Sequence, residues 1–416
     1  MEYRKRVLET ELKSRLSSMG AVVIEGPRAC GKTSTARRFA ASEVLLDVDR
    51  NARQAIAVDP ALVLDGAVPR LIDEWQIEPE IWNHIRRTVD DRGRPGQFIL
   101  TGSAVPADDV TRHTGAGRLV RIMLRPMTLY ETGDATGEVS LRSLFEGDHA
   151  RCRDPELTIA DIADLAARGG WPGYLDLTVS ESVESVRAYL EEIRRVDIPR
   201  TDQVTHDPDR VGRLLSSLAR NVARYAGIST LATDTGGVDG TLARTTVRAY
   251  LSTLERLMII EDQPAWAPHL RSRSRLRKAS KRLFVDPSLA VAALRSSPKQ
   301  LMQDLELFGF IFESLVIRDL RVFAQAIDAS VFQYQDNTGL EVDAIVQTTG
   351  GRWAAFEIKL GQGRVEEGAA NLLKFRDKVD TARCGSPQLL AVIVGTGFGY
   401  TRDDGISVIP IGALGP

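Results

Sequence analysis

The chain has few cysteines, no long apolar run and almost no net charge, and each absence narrows what the protein can be. Its three cysteines, Cys30, Cys152 and Cys384, show no disulfide pattern and no metal-site spacing, which favours a reducing compartment. No stretch approaches the roughly 20 apolar residues of a membrane-spanning helix. The charged start MEYRKRVLETELKSRL lacks the apolar run of a signal peptide. We therefore expect a cytoplasmic protein without a membrane partner.

Length and composition are those of ordinary globular domains. A chain of 416 residues is long enough for about two to four domains with sizeable cores. A hydrophobic content of 43% and a charged content of 26% are usual for a soluble protein. The net charge of −2 argues against a uniformly basic surface, although it permits a local basic patch.

The clearest motif follows the first apolar strand, in AVVIEGPRACGKTST. Gly26 is followed, after four residues, by Gly31, Lys32 and Thr33, which is the spacing of a P-loop between a strand and a helix. The loop N–H groups are predicted to face phosphate oxygens, Lys32 to reach the β- and γ-phosphates, and Thr33 to ligate Mg²⁺. The predicted nucleotide-contacting residues are Gly26, Pro27, Arg28, Ala29, Cys30, Gly31, Lys32, Thr33 and Ser34. We interpret Cys30 as a small filling residue, with a redox role as the alternative.

Two further polar positions end apolar strands. In RLIDEWQ, Asp73 is placed to hold Mg²⁺ through water and Glu74 to orient an attacking water; a pair of surface acids is the alternative. In FILTGS, Ser103 is predicted to lie between Mg²⁺ and the γ-phosphate and to sense hydrolysis, unless it only caps a helix or a turn.

Three arginines follow, Arg118, Arg121 and Arg125. Strand alternation places Arg121 and Arg125 on one face and Arg118 on the other. One of them is a candidate arginine finger for a neighbouring subunit, and solvated charge is the alternative for each.

The middle of the chain has helical periodicity. Residues 206–295 are predicted to form helix, short helix, turn, helix and two strands, the order of a winged helix-turn-helix, with Thr241 as an N-cap. Its second helix would present Arg244, Thr245 and Arg248 to a DNA groove; a module that only packs against protein is the alternative. The stretch 271–282 carries seven basic residues and no acid, which suits phosphates or, alternatively, a solvated loop.

The C-terminal region predicts a helix followed by three strands, ASVFQYQ, EVDAIVQ and WAAFEIK. If the last two form a hairpin, Asp343 lies opposite or diagonal to Glu357, and Lys359 shares the face of Glu357. The two carboxylates would hold a divalent ion, Lys359 would position water, and Glu313 on the helix would add a third carboxylate. This is the arrangement of PD-(D/E)xK nucleases, although these residues can also be the charged trim of a solvated strand pair. The fold also serves binding and assembly.

Taken in order, the blocks GPRACGKT, LLDVD, LIDEWQ, FILTGS, AGR, ARGGWPGYL and YLEEIRRVDI resemble those of a broad prokaryotic family. Its members are AAA-type ATP-binding proteins that end in a domain of unknown function related to restriction endonucleases. The resemblance implies an ATPase core that uses ATP and Mg²⁺, with Lys32, Thr33, Asp73, Glu74 and Ser103 in the roles above. It also implies a homo-oligomer. The segment DDVTRHTGAGR departs from the family's usual version, which leaves a finger role for Arg118 unsupported.

The expected fold class is therefore a multidomain α/β protein with four parts. These are an AAA-type P-loop core (1–125), a helical lid (126–205), a winged-helix-like domain (206–295) and a PD-(D/E)xK nuclease-like domain (296–416). The expected function is ATP-dependent action on nucleic acid, with Mg²⁺-dependent cleavage of DNA by the last domain. The alternative is a protein whose ATP-switched conformation controls binding and whose nuclease-like fold does not cut.

Overall fold

A computed structural model describes residues 3–102, 114–198, 207–267 and 280–416. Its first part is built on a parallel sheet whose strands follow the order β2-β3-β4-β1-β5. The strands are β1 (Ala21–Glu25), β2 (Ser42–Leu45), β3 (Arg70–Asp73), β4 (Phe98–Gly102) and β5 (Leu119–Met123). The flanking helices are α1 (Leu8–Ser18), α2 (Lys32–Arg37), α3 (Arg50–Val58), α4 (Ala61–Leu64) and α5 (Ile81–Arg92).

Strand β1, in the interior of this sheet, is buried on both faces. Ala21 and Val23 of β1 belong to one apolar cluster, and Val22 and Ile24 belong to another on the opposite face. Because helices cover both faces, a continuous apolar run, rather than an alternating one, marks such a strand in the sequence.

Helices make up most of the middle of the chain, as the periodicity predicts. They are α6 (Leu129–Thr132), α7 (Leu141–Glu146), α8 (Ile159–Arg168), α9 (Val179–Glu192), α10 (Pro208–Arg220), α11 (Ile228–Gly236), α12 (Arg244–Arg256) and α13 (Pro287–Ala293). Thr158 and Thr178 start α8 and α9 with capping boxes. The N-cap predicted at Thr241 is wrong, because α12 begins at Arg244 with Ala243 at its N-cap position.

A short hairpin follows α12, in the place expected for a wing. Isolated bridges join Ile260 to Phe284 and Gln263 to Lys281. The hairpin packs edge-on against the C-terminal sheet, where the Trp266 N–H donates to the Gln333 carbonyl over 2.6 Å. This hairpin, called the wing hairpin below after its predicted role, therefore contacts the C-terminal sheet of the same chain.

The C-terminal part joins a long helix to a second, mixed sheet. Its helices are α14 (Pro298–Gln303), α15 (Leu305–Gln325), α16 (Val365–Lys378) and α17 (Thr381–Cys384). Its strands are β7 (Ala329–Gln335), β8 (Glu341–Thr348), β9 (Trp353–Lys359), β10 (Leu389–Val394), β11 (Tyr400–Thr401) and β12 (Ser407–Pro410). The strand order is β11-β12-β10-β9-β8-β7, with β7, β8 and β9 antiparallel and β9 parallel to β10. The three strands predicted from the sequence are confirmed.

The segment 136–152 is hydrogen-bonded through its backbone to residues near the C-terminal end of the chain. Strand β6 (Val139–Ser140) pairs in parallel with β13 (Leu414–Gly415). The Thr136 N–H donates to the Gly412 carbonyl over 2.7 Å, and the backbones of Cys152 and Gly399 exchange two hydrogen bonds of 3.2 Å. One continuous apolar core runs from this segment through α15 to one face of the second sheet.

Within the ranges described above, no helix is both long enough and apolar enough to cross a bilayer.

Candidate functional site

The P-loop has the backbone shape that its glycines predict. Gly31 has φ +99° at the N-terminus of α2, a conformation in the left-handed region that favours glycine. A Cβ on Gly26 would stand 2.2 Å from the Leu124 carbonyl oxygen, so the loop passes too close to β5 for a side chain there. The buried Lys32 ammonium folds back over the loop and donates to the carbonyls of Gly26 (2.9 Å) and Pro27 (2.8 Å).

The C-terminal ends of β3 and β4 and the first turn of α2 meet at Asp73. Its Oδ1 accepts from Thr33 Oγ1 over 2.8 Å and from Thr101 Oγ1. Thr33 and Asp73 thus come together as the sequence predicts, and both offer oxygen atoms that suit Mg²⁺. Glu74 follows directly with φ +52°, in the left-handed region. The predicted Ser103 lies outside the described residues, and the neighbouring Thr101, at the end of the same strand, was missed.

The N-terminal segment, which the sequence marks only as a charged helix, holds the P-loop in place. The guanidinium of Arg6 is buried and donates to the Cys30 carbonyl (2.8 Å), the Arg125 carbonyl (2.6 Å) and Glu131 Oε1 (3.1 Å). Arg6 therefore ties the loop to the end of β5 and to α6. Cys30 itself is buried, and its Sγ donates to the Leu124 carbonyl over 3.3 Å, which fits the filling role.

A cavity of about 1080 Å³ opens beside the loop. Tyr3 and Arg4 of the N-terminal segment, Ser34 and Thr35 of α2, and Pro172 of the predicted lid contribute to its wall. The Tyr3 hydroxyl donates to Thr35 Oγ1 over 3.2 Å. The volume and the mixed polar wall suit a nucleotide-sized ligand.

The P-loop also touches the helices that follow the core. Arg28 forms an ion pair with Asp197 across 3.0 Å, and Asp197 ends a π-helical turn, Ile193–Asp197, after α9. The P-loop is thus in direct contact with the predicted lid.

The three candidate finger arginines differ in their surroundings. Arg118 pairs with Asp90 over 2.6 Å near the surface. Arg121 pairs with Glu25 and lies over a tryptophan ring. Arg125 is mostly buried and binds Glu261 through two hydrogen bonds of 2.6 and 2.8 Å, so it ties the core to the wing hairpin.

The four residues predicted for the nuclease-like site do converge. The β8–β9 register pairs Ala344 with Phe356, so Asp343 and Glu357 are the next residues along the two strands. Lys359 Nζ lies 2.7 Å from Glu357 Oε2 and 3.7 Å from Asp343 Oδ2.

Glu313, from α15, is connected to the same cluster by Lys281, which the sequence analysis assigned to the basic stretch 271–282. Lys281 Nζ lies 2.7 Å from Glu313 Oε1 and 3.5 Å from Asp343 Oδ1. Lys281 is 3% exposed, so its assignment to a phosphate-binding surface was wrong. We call Glu313, Asp343, Glu357, Lys359 and Lys281 the carboxylate–lysine cluster.

Burial and charge act on the pKa values of this cluster in opposite directions. Burial raises the pKa of Glu313 to about 7, although Lys281 opposes the shift. Burial and the charge of Asp343 raise the pKa of Glu357 to about 8. Burial would also raise the pKa of Asp343, but Lys281 and Lys359 outweigh it and hold that pKa below its usual value. Of the three carboxylates, Asp343 is thus the one whose pKa the two lysines hold below its usual value.

Some of the candidate DNA-contacting residues are exposed, and one is paired with an acid of the same chain. Arg244, Thr245 and Arg248 are exposed at the N-terminal end of α12, as predicted. Arg282 pairs with Asp262 in the wing hairpin and is engaged within the protein. The other basic residues of the predicted patch, Arg271, Arg273, Arg275, Arg277 and Lys278, lie outside the described residues.

Known proteins match the chain in three consecutive blocks. Residues 18–133 match an AAA domain model, residues 159–300 a domain of unknown function (DUF8612), and residues 308–414 another domain of unknown function (DUF4143). Together with the parallel sheet, the first match defines a multidomain α/β protein with an AAA-type domain, as the sequence predicts.

Two curated relatives are uncharacterised proteins of Mycobacterium bovis and Mycobacterium tuberculosis. Each is 24% identical over 374 residues, which cover 86% of this chain and 74% of the relative. Among solved structures, a half-complex from a tetradecameric assembly of Thermococcus gammatolerans McrB AAA+ hexamers with bound McrC aligns at 10% identity. That alignment covers 49% of this chain and 47% of the other, with a TM-score of 0.20.

Proposed function

We propose that the protein binds and hydrolyses ATP, with Mg²⁺, at the P-loop. The observation that carries the proposal is the meeting of the loop after β1 with Asp73 and Thr101 at the ends of β3 and β4. Thr33 and Asp73 would hold Mg²⁺, which neutralises phosphate charge when bound.

The residues around the loop then have separate tasks. Loop N–H groups and the N-terminus of α2 bind phosphate oxygens. The Lys32 ammonium, which donates to two loop carbonyls, turns to the phosphates when these enter. Glu74 orients the attacking water. The cavity between the N-terminal segment and the predicted lid holds the rest of the nucleotide.

The test compares the wild type with Lys32→Ala and Glu74→Gln. Lys32→Ala should weaken ATP binding strongly, because it removes the cation that faces the phosphates. Glu74→Gln should bind ATP but lose turnover. Lys13→Ala, a change at an exposed lysine on α1, is the matched control. Equal ATPase rates in all four proteins would overturn the proposal.

We infer further that the ATP-bound form is a homo-oligomer, because AAA-type sites are commonly completed by an arginine from a neighbour. The side chains of Arg118 and Arg121 are each 37% exposed, whereas the mostly buried Arg125 is committed to Glu261. Light scattering of Glu74→Gln with ATP and Mg²⁺ should show a mass above one chain, and a monomer under all conditions would refute the inference.

For the C-terminal part we propose binding without cleavage, the second of the two functions that the sequence allows. The supporting observation is that Lys281 stands between Glu313 and Asp343, where a PD-(D/E)xK nuclease would need a metal ion. Incubation with plasmid and linear DNA, with Mg²⁺ or Mn²⁺ and with or without ATP, tests this. Cleavage that Asp343→Ala removes would establish the nuclease instead.

The proposed ligand for the middle part is DNA, contacted by the exposed end of α12. Arg244→Ala with Arg248→Ala should weaken DNA binding and reduce the salt slope by about one unit for each phosphate that is no longer neutralised. Lys299→Ala, at an exposed position on α14, is the control. Fluorescence anisotropy over a salt series measures the DNA affinity and the salt slope. If neither changes in the double variant, α12 does not contact DNA and serves only in packing.

A further inference from the structure

Lys281 is held in the carboxylate–lysine cluster by its backbone as well as by its charge. Its N–H and carbonyl exchange hydrogen bonds of 3.1 and 3.0 Å with Gln263. The Gln263 side-chain amide in turn donates to the carbonyls of Phe332 (3.0 Å) and Asp343 (2.9 Å) on the sheet. The wing hairpin therefore fixes the position of the Lys281 backbone relative to the strands that carry Asp343 and Glu357.

The ammonium groups use the oxygen atoms that a metal ion would need. Lys281 Nζ faces Glu313 Oε1 and Asp343 Oδ1, and Lys359 Nζ faces Glu357 Oε2 and Asp343 Oδ2. Asp343 Oδ2 also accepts from the Ile358 N–H over 2.9 Å. Both oxygens of the central carboxylate thus already have cationic neighbours.

A divalent ion does not fit this arrangement. Mg²⁺ requires oxygen ligands at about 2.0–2.1 Å in near-octahedral geometry. An ion shared by Glu313 and Asp343 would overlap the Lys281 ammonium, which lies 2.7 and 3.5 Å from their oxygens. A second cation at that distance would also repel the lysine strongly. Consistent with this, the described part of the chain contains no group of three or more His, Cys, Asp or Glu residues arranged to hold a metal.

We propose that Lys281 is the resident cation of the carboxylate–lysine cluster and takes the place of the divalent metal ion that the nuclease-like arrangement implies. The cluster binds a divalent ion only when this lysine is removed. The charge pairing explains why a lysine is tolerated at 3% exposure, since a buried ammonium without carboxylate partners would be very costly. The inference concerns metal occupancy alone and holds whether or not the P-loop hydrolyses ATP.

Mn²⁺ binding to the nucleotide-free protein tests the proposal, with electron paramagnetic resonance counting bound ions. Lys281→Met keeps the length of the side chain and removes its charge, so this variant should bind one more Mn²⁺ per chain than the wild type. The additional ion should disappear in Lys281→Met/Asp343→Asn. Lys378→Met, which breaks an exposed ion pair with Asp336 in the same domain, is the matched control and should bind as the wild type does.

Unfolding in the presence of Mn²⁺ gives a second readout. Lys281→Met leaves two buried carboxylates without this cation and should lower the melting temperature. Mn²⁺ should raise it again in this variant, because a ligand stabilises the state that it binds, but not in the wild type. A folded Lys281→Met that gains neither a bound ion nor thermal stability would overturn the proposal.

The wild type supplies a test that does not depend on the variant folding. Bound Fe²⁺ reduces added H₂O₂ to hydroxyl radicals that cut the backbone beside the ion, ascorbate returns the Fe³⁺ to Fe²⁺, and mass spectrometry locates the cuts. No cuts that EDTA prevents should occur around residues 313, 343 and 357. Such cuts in the wild type would show a metal ion beside Lys281 and would refute the assignment.

Discussion

Replacement of Arg6 by methionine should damage both stability and nucleotide binding, since this one side chain holds the P-loop. Arg6 is 3% exposed and makes three hydrogen bonds, to the carbonyls of Cys30 and Arg125 and to Glu131. Hydrogen bonds to charged groups contribute about 1.5–3 kcal/mol each, so the gross loss is about 4.5–9 kcal/mol.

The net loss should be smaller than this sum. Glu131 keeps the N–H groups of Val7 (2.7 Å) and Thr128 (2.9 Å) as donors, and water can enter from the adjoining cavity. Removal of one partner of a buried ion pair typically costs about 3–5 kcal/mol, and we expect Arg6→Met to fall in that range. Arg6 binds the Cys30 carbonyl, between Ala29 and Gly31 with their φ values of +61° and +99°. Its loss should therefore loosen the phosphate-binding loop, and the KM for ATP should rise more than kcat falls.

Urea unfolding and steady-state ATPase assays measure the two effects. The matched control is Arg15→Met on α1, where the arginine is 40% exposed and pairs with Glu11 one turn away. Such surface pairs contribute about 0.3–0.5 kcal/mol. If Arg6→Met cost no more than Arg15→Met, or if it changed kcat and left KM untouched, our account of the N-terminal segment would be wrong.

Two further predictions concern Thr101, which contacts Asp73 in the proposed ATP site, and Glu261, which pairs with Arg125 between the first sheet and the wing hairpin. Thr101→Val removes one of the two hydroxyl donors to Asp73. A hydrogen bond to a charged group contributes about 1.5–3 kcal/mol, so the Mg²⁺ concentration for half-maximal ATPase activity should rise by roughly tenfold or more; an unchanged Mg²⁺ requirement would contradict this role. Burial would raise the pKa of Glu261, but the charge of Arg125 outweighs burial and lowers this pKa to about 2. The Glu261–Arg125 pair therefore contributes its full stability above the ordinary pKa of a glutamate. This contribution is lost as the pH falls from there towards 2. The difference in unfolding free energy between wild type and Glu261→Gln should therefore shrink below about pH 4.5, and a difference that stays constant from pH 7 to pH 3 would refute the assignment.

Local patterns were enough to predict the elements that carry both candidate sites. The P-loop is a contiguous motif, so its strand, turn and helix could be placed before any tertiary contact was known. Strands β7, β8 and β9 alternate or run apolar between turn residues, and the predicted hairpin brings Asp343 beside Glu357. In both cases the information lies within a few tens of residues.

Contacts between distant segments were not predictable in the same way. Lys281 lies in a basic stretch whose composition indicates solvent, and only the docking of the wing hairpin on the second sheet carries it inward. Arg6 precedes α1, in a charged stretch that looks like an ordinary surface element. Its partners, Cys30, Arg125 and Glu131, are up to 125 residues away. A single sequence holds no local signal for such pairs, because the charge of a side chain does not reveal its burial.

The contacts of the segment 136–152 impose an order on folding during synthesis. The five strands of the first sheet all lie between residues 21 and 123, so that sheet can form as soon as its own sequence has left the ribosome. Strand β6, Thr136 and Cys152, by contrast, find their backbone partners roughly 250 residues later, in β13, Gly412 and Gly399. At about 5–20 residues per second, the wait is on the order of 10–50 s. During that time the segment exposes an unpaired strand edge next to a completed core, and it is there that a nascent chain of this protein would most need a chaperone.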